Sequence, residues 1–97
     1  MARKYLRISE VIEICGVDEG FVQALEQEAL IRPVIRRRRK VYSLDQVNRV
    51  RVAHLLIEEM GVNLAGAEVA LNMREQMIAM QRQFDQLLRL LGKRLKQ

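Results

Sequence analysis

The sequence predicts a mainly helical domain that combines a helix-turn-helix, a small β-hairpin and a C-terminal coiled-coil helix. Three observations favour this class: aromatic residues make up only 4% of the chain, two short helical patterns meet at a glycine, and a heptad pattern fills the last quarter. Because aromatics are few, Leu, Val, Ile, Met and Ala must form the core, which favours helices over a sandwich or barrel. With 97 residues the chain can bury one modest core.

The helix-turn-helix is predicted over residues 8–33. A first helix begins near Ile8 and stops at Gly16, and Asp18 then caps a second helix by accepting hydrogen bonds from its free N–H groups. Pro33 limits the second helix, since the residue before a proline disfavours helical geometry. Two short helices joined by a tight turn that contains Gly form a helix-turn-helix. The residues at helical spacing in the second helix are Phe21, Val22, Leu25 and Ala29.

Charge is segregated along the chain, whose formal net charge is +5. Residues 8–31 hold six acids and no Lys or Arg, whereas residues 32–51 hold eight cations and a single acid, Asp45. β-Branched residues flank the run from Arg36 to Lys40, which predicts a hairpin, or wing, with a charged tip in solvent. The tip lacks Gly and Asn, so a two-residue primed turn is not predicted. Clustered cations in a basic domain favour nucleic-acid binding, and a plain solvated loop is the alternative.

Two further helices are predicted after the wing. Ser43 opens the first with a Ser-x-x-Gln capping box, and Gly61 ends it. Asn63 caps the second, a short helix whose inward residues are Leu64, Ala67 and Leu71.

From residue 73 the apolar residues alternate at spacings of four and three, the pattern of a coiled-coil seam. A long helix with such a stripe needs a partner, and we expect the same helix of a second chain, which gives a two-fold homodimer. The sequence thus predicts a helix-turn-helix and wing domain at residues 1–72 and a dimerisation helix at residues 73–97. The predicted dimerisation residues are Met73, Met77, Met80, Phe84, Leu87 and Leu91.

Composition argues against an enzyme, a cofactor, a metal site and a small-molecule effector. The chain has one cysteine, Cys15, and one histidine, His54, with no nucleophile–base pair and no Gly-rich phosphate loop. It shows no signal segment and no run of about 18 apolar residues. We therefore expect a cytoplasmic protein without membrane contact.

The order of these parts resembles the MerR-type winged helix-turn-helix regulators. This resemblance spans the whole chain and implies a dimeric transcription regulator that binds double-stranded DNA. The segment from Gly61 to Gly66 looks most like two heat-shock-linked branches: the HspR-type repressors of chaperone genes and the CbpM-type chaperone modulators, which are implied to bind the J-domain of a DnaJ-like co-chaperone. The matching stretches are Ile8-Ser9-Glu10-Val11, Gly16-Val17-Asp18, Leu25-Glu26, Leu30-Ile31-Arg32-Pro33 and Val41-Tyr42-Ser43.

The second helix departs from the family pattern, which typically carries Arg and two aromatic residues before the Glu. Here those places read Gln23, Ala24 and Leu25. Gln can still pair with adenine through two hydrogen bonds, but the family side chains that bind phosphates are absent. Wing cations would then supply most of the affinity, so we expect sequence preference to be weak. The predicted DNA-contact residues are Glu19, Gly20, Gln23, Gln27, Arg36, Arg37, Arg38, Arg39, Lys40, Tyr42 and Arg49.

A second hypothesis follows from the chaperone-modulator resemblance. The acids of residues 8–31 would form a face for a basic helix of a J-domain, and the protein would bind DNA weakly or not at all.

Overall fold

The computed structural model describes residues 4–95. In chain order the elements are β1 (Tyr5–Arg7), α1 (Ile8–Cys15), α2 (Glu19–Gln27), β2 (Val34–Arg36), β3 (Arg39–Ser43), α3 (Leu44–His54), a π-helical turn (Leu55–Glu59) and α4 (Leu64–Leu95). The three strands form one antiparallel sheet of strand order β1-β3-β2, which confirms the mainly helical class with a wing. Helix α3 passes directly into the π-helical turn.

The corner between α1 and α2 forms as predicted. Gly16 adopts a left-handed φ of 67°, which glycine tolerates without steric cost, and its N–H donates to the Ile12 carbonyl at 3.0 Å. The Asp18 carboxylate then accepts the Phe21 N–H at 2.8 Å. Both local signals of the helix-turn-helix are confirmed.

Helix α2 is shorter than predicted, because it ends at Gln27 and leaves Ala29 outside it. Ala29 has a φ of 58°, while the Leu30 N–H donates to the Leu25 carbonyl at 2.8 Å and the Ala29 N–H to Glu26. These bonds form a Schellman motif, with Ala in the place that Gly usually takes. Leu25 and Leu30 are both buried, and their packing secures the chain reversal.

The wing (residues 34–43) closes through a two-residue turn, so the prediction against such a turn is wrong. Arg36 pairs with Arg39, and the turn residues Arg37 and Arg38 have φ of 50° and 65°. Positive φ at both central residues is what a type I′ turn requires. The register has a tertiary cause: β3 pairs on its other side with β1, where Tyr42 lies opposite Leu6 and both are buried. Core packing therefore sets the turn length against local preference.

The core lies where α1, α2 and α3 pack against the sheet and the first turns of α4. Two predicted inward residues of α4, Ala67 and Leu71, are fully buried, and Leu64 packs at the edge. The other fully or almost fully buried side chains are Val11, Val22, Leu25, Leu30, Ile31, Tyr42, Val50 and Ala53.

Only one of the two hydrogen bonds of the predicted capping box forms at the start of α3. The Ser43 hydroxyl accepts the Gln46 N–H at 3.3 Å, as predicted. The Gln46 side chain, however, accepts the Arg32 N–H at 2.7 Å, so it does not return to Ser43. Gln46 thereby holds the segment between α2 and the wing against α3.

The predicted short fourth helix and the coiled-coil helix are one continuous element, α4. Asn63 caps its first turn by accepting the Gly66 N–H at 2.7 Å, which confirms the predicted start. The helix then runs without a break to Leu95, and it contains no Pro that would interrupt its hydrogen bonds. The predicted domain boundary between residues 72 and 73 therefore falls inside a helix.

The six predicted dimerisation residues lie on α4 with 48–67% of their surface exposed. Thirty-two helical residues extend for about 48 Å at 1.5 Å each, so much of α4 projects beyond the core. The stripe is unpartnered in the single chain, and the dimer remains a prediction.

Arg49 links three parts of the core. Its Nε donates to the Leu30 carbonyl at 2.6 Å, and its Nη1 forms an ion pair with Glu75 of α4. The Arg49 side chain is 9% exposed, whereas that of Glu75 is 56% exposed. Because water screens Glu75, the buried bond to Leu30 dominates the contribution of Arg49 to stability.

We predict an asymmetry between the two partners of this ion pair. Arg49→Ala should lower the free energy of unfolding by about 2 kcal/mol, because the Leu30 carbonyl loses a buried charged donor. Glu75→Ala should cost less than about 1 kcal/mol, as for exposed pairs. Urea denaturation measures both values, and equal losses would contradict this account.

We also predict that the wing turn is strained. The double variant Arg37→Asn with Arg38→Gly should raise the free energy of unfolding by about 1 kcal/mol or more, because Asn and Gly adopt positive φ more readily than Arg. The control, Arg37→Ala with Arg38→Ala, removes the same charges but keeps the unfavourable conformation. Equal stability of the two double variants in thermal denaturation would show that the turn stores no strain.

Candidate nucleic-acid interface

The four predicted contact residues on α2 are all exposed. Gly20, Gln23 and Gln27 follow one another at spacings of three and four, so they share one helix face, with Glu19 beside them at the helix start. The opposite face carries buried Val22 and Leu25, which fix the helix against the core. The Gln23 amide therefore points its donor and acceptor groups to solvent, as base recognition requires.

The basic run of the wing divides into held and unpaired side chains. The Arg36 guanidinium stacks over the Tyr5 ring of β1, 4.0 Å from its centroid. Lys40 forms an ion pair with Glu26 of α2 at 3.0 Å. Between them, three exposed arginines make no side-chain hydrogen bond or ion pair within residues 4–95. We call Arg37, Arg38 and Arg39 the tip arginines.

The tip arginines occupy an unfavourable position for an isolated protein. Arg37 and Arg38 have positive φ, and Arg39 lies directly across from Arg36 on the neighbouring strand. Like charges opposite each other destabilise a sheet, and positive φ costs a bulky residue free energy. An anion bound at the tip would relieve the charge repulsion.

Two predicted contact residues are directed into the interior. The ring of Tyr42 is 1% exposed, and its hydroxyl donates to the Glu26 carboxylate. Burial and the neighbouring carboxylate raise the pKa of Tyr42 well above its ordinary value, so the hydroxyl remains the donor. Arg49 is buried against Leu30 and pairs with Glu75. The structure thus places both side chains in the interior with partners of their own, and their contact with DNA stays a prediction.

Sequence reasoning missed three contacts of the site. It did not predict β1, and therefore missed the stacking of Arg36 on Tyr5. It also treated Glu26 as part of a family motif and as one acid of residues 8–31, although Glu26 joins the second helix to the wing. Lys40 and Tyr42 lie two positions apart and so share one face of the strand, which was the signal available in the sequence.

Cys15 and His54 have ordinary packing partners. The Cys15 thiol donates weakly to the Val47 carbonyl at 3.8 Å, and burial raises its pKa despite the nearby Arg51 guanidinium. The His54 ring meets Phe21 edge to face at 5.7 Å. Within residues 4–95, no three His, Cys, Asp or Glu side chains are grouped to hold a metal ion.

A groove of about 420 Å³ lies between α3 and α4. Charged and amide side chains line most of it, whereas small-molecule sites are mostly apolar. The residues that line the groove include Asp45, Asn48, Arg74, Glu75, Ile78 and Arg82.

No helix described in this chain is long and apolar enough to cross a bilayer.

Comparison with known proteins agrees with this architecture. Residues 6–89 match the family described as MerR HTH family regulatory protein, a range that includes the helix-turn-helix, the wing and most of α4. A search of curated proteins finds no match. The matching family consists of DNA-binding regulators rather than enzymes. Since the match covers most of its length, the chain belongs to the MerR HTH family of regulatory proteins.

Proposed function

We propose that this chain is a homodimeric transcription regulator. Its wing binds DNA phosphates, and α2 contacts bases with a weak sequence preference. The observation that carries the proposal is the set of three tip arginines, unpaired within residues 4–95, on a wing that the Lys40–Glu26 ion pair joins to α2. Guanidinium groups match phosphate geometry and always carry charge, so they suit the backbone of DNA. We expect the protein to act in the cytoplasm.

Weak base reading follows from the composition of the exposed face of α2. Gln23 and Gln27 can hydrogen-bond to base edges, whereas Gly20 has no side chain and Glu19 carries a negative charge. Phosphate contacts supply affinity but no sequence information. A protein whose cations lie in the wing and whose recognition helix offers two amides should bind DNA strongly relative to its sequence preference.

The apolar stripe of α4 supports the proposed dimer. Its six residues, from Met73 to Leu91, are exposed on a helix that projects from the core. Monomeric proteins rarely leave such a continuous apolar patch in water. A two-fold dimer would present two recognition helices to half-sites in successive major grooves, about 34 Å apart.

The choice of target genes rests on the segment from Gly61 to Gly66. Its likeness to the heat-shock-linked branches supports regulation of heat-shock or chaperone genes. The same likeness supports the alternative function, a chaperone modulator that binds the J-domain of a DnaJ-like co-chaperone. The exposed carboxylates of Glu13, Glu19 and Glu28 would suit the basic helix of such a partner.

We predict that the tip arginines dominate DNA affinity. Replacing Arg37, Arg38 and Arg39 by Ala should weaken binding to DNA from upstream of the gene and reduce the salt slope by about 0.9 for each phosphate that is no longer neutralised. Fluorescence anisotropy across a salt series measures both effects. A matched control removes three exposed arginines of α4, Arg82, Arg89 and Arg94, and should leave the salt slope nearly unchanged.

The same measurement separates the two functions. Preference of the wild type for upstream DNA over scrambled DNA supports a transcription regulator. Weak and equal binding to both would reject it, and binding to a purified J-domain would then be measured. In that case reversal of charge at Glu19 and Glu28 should abolish J-domain binding, while replacement of the tip arginines should not affect it.

For the dimer, we predict that Phe84→Glu raises the dimer dissociation constant by about tenfold or more, since it buries an unpaired charge in the stripe. Gln83→Glu adds the same charge beside the stripe and should have a small effect. Sedimentation velocity measures both. A wild type that stays monomeric at all concentrations would rule the dimer out.

A further inference from the structure

One carboxylate connects the recognition helix to the wing. Glu26 lies in the last turn of α2, with Oε2 3.0 Å from Lys40 Nζ and Oε1 accepting the hydroxyl proton of Tyr42. Lys40 and Tyr42 lie two residues apart on β3, so their side chains leave the same face of the sheet. The Glu26 side chain is 14% exposed, which limits screening of the carboxylate by water.

The place of Glu26 within α2 is unfavourable for the helix itself. A negative charge near a helix C-terminus opposes the helix dipole, and the last turn of α2 contains no basic residue. This side chain therefore does not stabilise its own helix. Within residues 4–95, its side-chain hydrogen bonds and its ion pair are all with β3.

The wing is thereby held on both flanks of its tip. On one side Arg36 stacks on Tyr5, and on the other side Lys40 is paired with Glu26. The tip arginines between these two anchors remain unpaired within the part of the chain that the structure describes. Their distance and angle from the exposed face of α2 consequently depend on the two anchors.

We propose that Glu26 is a positioning residue for DNA recognition. It holds the wing where the tip arginines reach phosphates while Gln23 faces base edges, and it keeps Lys40 away from the DNA. This inference rests on the proposed function. Because phosphate contacts carry no sequence information, a wing released from α2 could still bind the backbone without aligning Gln23. Sequence preference, rather than total affinity, should therefore depend on Glu26.

The test compares two variants that break the ion pair from opposite sides. Glu26→Gln keeps an acceptor for Tyr42 but frees Lys40, so affinity for scrambled DNA should rise and the salt slope should steepen by about 0.9. The ratio of upstream to scrambled affinity should fall about fivefold, the lower range for one misplaced base contact. Lys40→Gln should lower that ratio similarly without raising affinity for scrambled DNA.

The control is Glu28→Gln, which makes the same charge change two residues further on, at an exposed side chain with no hydrogen bond or ion pair within residues 4–95. It should leave the affinity ratio unchanged. A merely structural role of Glu26 would lower the folded fraction, measured by circular dichroism, and reduce binding to both DNAs alike. If Glu26→Gln fails to fold, Lys40→Gln decides, since Lys40 is 57% exposed.

An unchanged affinity ratio in the folded variants overturns the role of Glu26 while the proposed function stands. Equal binding of the wild type to both DNAs overturns the proposed function, and the positioning role with it. The variants therefore test the role of Glu26, and the wild type tests the proposed function, in the same experiment.

Discussion

The hydrogen bond from the buried Tyr42 hydroxyl to Glu26 is the constraint on which the arrangement of this molecule depends. A buried tyrosine needs a partner for its hydroxyl, and the carboxylate that provides it belongs to α2. Because burial and that carboxylate both raise the pKa of Tyr42, the hydroxyl stays protonated and keeps donating at neutral pH. Since β3 lies between β1 and β2, this bond joins the middle strand of the sheet to the recognition helix.

Once Tyr42 sets the register of β3, the wing has to close with two arginines at positive φ and two more across from each other. These features oppose stability. Positive φ at two bulky residues and like-charge repulsion in the same exposed turn are understandable if the turn meets an anion. Membership of a DNA-binding regulator family agrees with that explanation, and the proposed phosphate contacts follow from it.

Helix α4 contributes to two regions that differ in environment. Its first turns bury Ala67 and Leu71 in the core, and Glu75 reaches back to Arg49. Beyond these contacts the helix continues with its apolar stripe exposed, which is the basis for the proposed dimer. Because the helix is unbroken, a partner bound to the stripe would set the orientation of the core relative to that partner. The two recognition helices of a dimer would then be related through the two paired α4 helices.

The sequence by itself determined the features whose partners lie within a few residues. The caps at Asp18, Ser43 and Asn63, the glycine corner and the exposed face of α2 were all predictable, because each depends on bonds within one helical turn. Only the tertiary structure decided the two-residue wing turn and the interior placement of Tyr42 and Arg49. Lys40, Tyr42 and Arg49 are held by hydrogen bonds to residues that lie 14 to 26 positions away in the chain. Local preference carries no information about such contacts.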